Sequence, residues 1–186
     1  MKVYRVRSDR NSYQQLLPTD EAIYKTAMLR FDCMKKSETW SPPQVYVSNP
    51  NKIRGNFFGF STGNLVFDSY AMGLLRGAFE ESGEILHLPH YDEQLYVINV
   101  LSCVNCLNQE ASDWAVSAQT GVRLNPPTRY SFHKNRFHEA PLFKIPETQR
   151  SEILTTADWF DEESEFKYLV DKHKLTGLIF EEIWSN

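Results

Sequence analysis

The chain has 186 residues, of which 41% are hydrophobic and 24% charged, and its formal net charge is −4. That length and apolar content suit one compact domain with a sizeable core, and exclude a disordered tail. A charge so near zero gives no support to a nucleic-acid surface and mildly disfavours phosphate-rich ligands. No window approaches the ~18 consecutive apolar residues of a membrane helix. The opening Met1-Lys2-Val3-Tyr4-Arg5-Val6-Arg7 lacks the apolar stretch of a secretory signal. Three cysteines form an odd set without disulfide-framework spacing, which points to a reducing, cytoplasmic compartment.

In chain order, Val3, Tyr4 and Val6 predict a short edge strand, followed by loop to Pro18. Residues 35–64 are rich in Ser, Pro, Asn, Gly and Lys, which predicts loop around one strand at Val45-Tyr46-Val47. From about Asp68, the positions Phe67, Tyr70, Ala71, Leu74, Leu75 and Ala78 recur at helical spacing, and Glu80-Glu81-Ser82-Gly83 supplies the stop. Ile85-Leu86-His87-Leu88 reads as a strand, and Leu95–Leu101 as a longer, central one. Further strands are expected at Ala115–Ala118, Val122–Leu124, Arg129–Phe132 and Leu142–Ile145, arranged as an antiparallel meander. A second helix is expected to start at Asp161 as its cap, with Glu162, Glu163 and Glu165 favouring its N-terminal end. Phe166, Leu169, Val170 and His173 would line one face, Gly177 would stop the helix, and Leu178-Ile179-Phe180 would lead a last strand. Without regular βαβ units, the pattern is α+β: a mainly antiparallel sheet with two principal helices in a single domain.

The motifs that could carry chemistry are sparse. Cys103-Val104-Asn105-Cys106 is a C-x-x-C, but the third thiol, Cys33, is remote in sequence and a zinc site needs two more ligands; small core residues are the better reading. The pairs His87/His90 and His133/His138 lack the i, i+4 spacing of a helical zinc motif. In 129–138, Arg129, Lys134 and Arg136 alternate with Tyr130, Phe132 and Phe137, a pattern that suits single-stranded nucleic acid but suits still better a hairpin with aromatics inward. There is no G-x-S-x-G, P-loop or G-x-G-x-x-G. No catalytic, cofactor-binding or metal-binding residue is therefore assigned. Charge is uneven along the chain: residues 121–150 carry six basic and two acidic side chains, and residues 151–186 carry three basic and nine acidic.

Three further segments carry a family resemblance. These are Leu95–Val100 leading into Cys103-Val104-Asn105-Cys106-Leu107-Asn108, then Ala140-Pro141-Leu142-Phe143-Lys144-Ile145, then Phe166–His173 followed by Leu175-Thr176-Gly177-Leu178-Ile179-Phe180. Together they resemble an immunity-protein family of bacterial polymorphic toxin systems, typified by a myxobacterial member and formerly catalogued as a domain of unknown function. The resemblance covers roughly residues 65–184, leaving 1–64 as N-terminal strands and loops of the same domain and 65–186 as the α+β core. Where that family commonly carries two aspartates around a leucine, this chain has Asn105 and Asn108. The resemblance implies a non-enzymatic cytoplasmic protein, without cofactors, that neutralises a cognate toxin protein by binding it; no membrane partner is expected, and the acidic net charge disfavours nucleic acid. The expected contact surface is Asp158, Trp159, Phe160, Asp161, Glu162, Glu163 and Glu165, an acidic segment beside aromatic anchors. The alternative is a small enzyme or metal-binding protein using the histidine pairs.

Overall fold

In the computed structural model all residues are described except Asp92 and Phe160, and the side chains of Lys25 and Ala27. In chain order the elements are β1 (Lys2–Ser8), β2 (Leu16–Pro18), β3 (Val45–Val47), β4 (Phe57–Phe58), β5 (Leu65–Phe67), α1 (Ser69–Ser82), β6 (Gly83–His90), β7 (Glu93–Val100), β8 (Ile153–Ala157), α2 (Phe166–Lys172) and β9 (Leu178–Ser185). They form three antiparallel sheets, ordered β8-β1-β9, β2-β3 and β4-β5-β7-β6. This is an α+β domain, as the sequence predicts.

The four-stranded sheet is buried on both faces. On β7, Leu95 and Val97 point into a cluster with Leu16, Val66, Leu86 and Leu88. Tyr96, Ile98 and Val100 point the other way, towards α1, as a period of two requires. Burial on both faces explains why 95–101 reads as an almost continuous apolar run. On the helical face, Phe67 stacks on Phe79 with ring centroids 4.2 Å apart, and Phe166 joins them from α2 at 5.9 Å from Phe79. Such ring pairs add to the area each aromatic side chain buries.

Asp68 caps α1 by accepting the Ala71 N–H at 2.8 Å. Its inward face is Ala71, Met72, Leu75, Ala78 and Phe79, so the helix is rotated from the predicted face. Tyr70 is 62% exposed and Phe67 belongs to β5. At Gly83 the chain turns directly into β6, and a Cβ there would lie 2.1 Å from the Asn99 carbonyl oxygen; only glycine permits that approach.

Four expectations are corrected. β1 is no edge strand: it is the centre of its sheet, because β8 and β9, from the far end of the chain, pair on either side of it. The sequence reading also gave no strand to 153–157, where β8 lies. The expected meander between 115 and 145 is instead a set of single rungs: Val116 with Arg123, Asp113 with Arg129, Leu107 with Phe132, and Phe143 with Leu154. Pro126 and Pro127 lack the N–H groups a ladder needs, and the chain is held there by isolated backbone bonds, such as the Leu124 N–H to the Ala115 carbonyl at 2.8 Å, together with side chains, with Ser112 Oγ taking the Ser131 N–H at 3.0 Å. Finally, the second helix begins at Phe166 rather than at Asp161, whose side chain makes no cap hydrogen bond. Residues Glu162–Ser164 form a separate 3-10 turn. The left-handed residue after α2 is Lys174 (φ 52), while Gly177 (φ 102) lies farther along, against Phe57.

Candidate functional site

The acidic segment begins where β8 ends. Asp158 takes a left-handed conformation (φ 56), and its exposed carboxylate pairs with Lys2 at 3.4 Å. Glu165 fixes the segment from beneath: it is buried, and its two carboxylate oxygens accept the N–H groups of Asp158 at 3.2 Å and Trp159 at 2.9 Å. Glu165 also sits at φ −81, ψ 122, an extended geometry that separates the 3-10 turn from α2. It is thus a structural clasp for the loop above it. Glu162 and Asp161 remain exposed on the turn, and Glu163 is exposed but held by Lys172 at 3.0 Å. Phe160 lies outside the described residues.

The fold brings two further carboxylates to this segment. Glu81 at the end of α1 and Glu139 in the loop before Pro141 line, with Asp161 and Glu165, a depression of about 360 Å³ floored by Thr155 and Thr156. Among the described residues no cation lines it. Beyond Glu139 lies a more open depression lined by Lys134, Phe137, His138 and the half-buried Trp159. Carboxylates around a small concavity beside an indole can accept an ammonium or guanidinium together with its aliphatic stem. Glu81 and Glu139 escaped the sequence reading because nothing in the local pattern links positions so far apart in the chain.

The other candidates fall differently. Tyr130 and Phe132 are buried, with rings 5.8 Å apart, among Val3, Leu107 and Phe143, so they are core and not stacking platforms. Arg129 makes a two-pronged pair with Asp113, at 2.7 and 3.1 Å. The Cys103 thiol is exposed and interacts with Cys33, the cysteine remote from it in sequence. Burial, reinforced by Cys103, pushes the Cys33 thiol up to about 12; burial, reinforced by Glu147, does the same to Cys106. Both are therefore protonated at neutral pH and unlike an activated redox thiol. His87 packs on Tyr96, 5.2 Å between ring centroids, and His133 and His138 flank the 3-10 turn Lys134–Arg136. Among the described residues no three His, Cys, Asp or Glu side chains gather as a metal-ligand set. Nor is any described helix long and apolar enough to cross a membrane.

No protein-family model matches the chain, and no curated protein does.

Proposed function

We propose that the protein is an immunity protein, which binds and neutralises a cognate bacterial toxin domain in the cytoplasm of the cell that makes both. The observation that carries this reading is the acidic depression. It gathers Glu81, Glu139 and Asp161 from three separate parts of the chain and sets them beside Trp159 and the exposed Glu162. Clustered carboxylates next to an aromatic ring supply both the steering charge and the apolar anchor that protein interfaces use. A toxin whose own substrate is anionic presents a basic site to such a surface. In this reading the protein works by occlusion, with no catalytic step and no cofactor. The order of the segments at 95–108, 140–145 and 166–180, set out above, supports the same reading.

The test is co-expression with the toxin domain encoded beside it, followed by co-purification and growth rescue. Reversing charge in Asp161→Lys with Glu162→Lys is expected to weaken the complex at least tenfold and to flatten its salt dependence. Unchanged affinity and unchanged salt dependence would contradict the assignment of this surface.

A further inference from the structure

The net charge of −4 conceals a local concentration of the opposite sign. Arg5 and Arg7 lie two residues apart on β1 and so project on the same side. With Arg10 they line a cleft of about 600 Å³, closed on the far side by the 61–64 turn and by Ser151 and Glu152. That volume falls within the roughly 300–1,000 Å³ typical of small-molecule sites.

The cations in the cleft are unequally committed. Arg5 is held by Glu152 at 2.6 Å and Glu181 at 3.1 Å, and Arg7 by the same Glu181 at 2.8 Å. Arg10 donates only to the Phe60 carbonyl, at 3.2 Å, and pairs with no carboxylate among the described residues. Behind the turn, the ammonium of the fully buried Lys144 donates to the carbonyls of Phe31 and Gly63, each at 2.5 Å. Among the described residues three arginines thus line the cleft against one lining carboxylate, Glu152, with Glu181 shared between Arg5 and Arg7, leaving the cleft positive.

The second observation is independent of charge. Asn64, in the turn, is 6% exposed; its amide nitrogen donates to Ser61 Oγ at 2.6 Å, while its Oδ1 is buried without any partner. Buried amide oxygens are rarely left so, and Asn64 lines the cleft, where a bound molecule could supply the missing donor. We propose that this cleft binds a small oxyanion, a phosphate- or carboxylate-bearing metabolite, with Arg10 and Arg7 on the anion and Asn64 on a hydroxyl or amine of the same molecule.

The site is distinct from the acidic depression and shares no lining residue with it, so its fate is separable from toxin binding. The experiment is calorimetric titration and thermal unfolding of the full chain with sodium pyrophosphate and, separately, sodium malate, against sodium chloride at equal ionic strength. One of the two ions is expected to bind and raise Tm beyond the chloride control. Saturation by pyrophosphate assigns a phosphate ligand, and saturation by malate, which also carries a hydroxyl, a carboxylate one. Arg10→Gln is expected to weaken that binding about tenfold, the effect of losing one charge-assisted contact. Asn64→Leu should do the same for malate; if it does not fold, Arg7→Gln, at an exposed position, serves in its place. No binding of either ion above chloride, or binding unchanged in Arg10→Gln, would overturn the proposal.

Discussion

Lys144 sits wholly inside the protein, bridging Phe31 and Gly63 through their carbonyl oxygens. Burial lowers its pKa from the ordinary 10.5 to about 8. The unfolded chain therefore holds this proton over a pH range in which the folded chain has released it. Stability from this group rises with pH between about 8 and 10.5, and is lost as pH falls through the lower value. In Lys144→Met the rise is absent, so urea unfolding of both proteins across that window should show the wild type gaining on the variant. A constant difference would contradict the assignment. The variant also leaves two carbonyls without a donor, at a cost of about 1–3 kcal/mol at neutral pH. Glu165 is the other buried charge with a structural task. Glu165→Ala removes the acceptor for two backbone N–H groups and is expected to cost about 1–3 kcal/mol. Its sharper signature is loosening of 158–164, read as faster amide exchange there with α1 unchanged.

Among the elements, the junction of α2 with the four-stranded sheet tolerates little change. Gly177 combines φ 102 with a Cβ position 2.3 Å from the Phe57 carbonyl oxygen, so Gly177→Ala is strained both by conformation and by contact. A loss of more than about 2 kcal/mol is expected in chemical denaturation, and an unchanged midpoint would show that β9 enters the sheet differently. Phe79→Ala opens the stack on Phe67 and should cost about 3–5 kcal/mol. At this scale the sequence was legible where pattern and caps agree. Asp68 and Gly83 bracket α1, and the apolar run at 95–100 is the central β7. It was misleading where a long-range partner decides: β1 reads as an edge because its neighbours arrive some 150 residues later. The segments between 115 and 145 have strand-like composition, yet they find only isolated rungs to pair with and no continuous ladder. Of the candidate surface, the exposed acids at 161–163 were visible as a charge run. The inward turn of Glu165 and the convergence of Glu81 and Glu139 were not, since both depend on how α1 and β8 pack.

For the molecule as a whole, charge is segregated: the Arg-lined cleft beside β1 and the acidic depression between α1 and the 3-10 turn lie on different sets of residues. A partner drawn to one surface is not drawn to the other, so a basic toxin would dock with a preferred orientation and an association rate that falls with salt. The most direct measurement is the association of the purified protein with the toxin domain encoded beside it, followed by surface binding kinetics at two salt concentrations and alongside growth rescue. The account predicts a stable complex, rescue of growth, and an on-rate that drops with salt in the wild type but hardly at all in Asp161→Lys/Glu162→Lys. Toxicity that persists with no complex formed would contradict it.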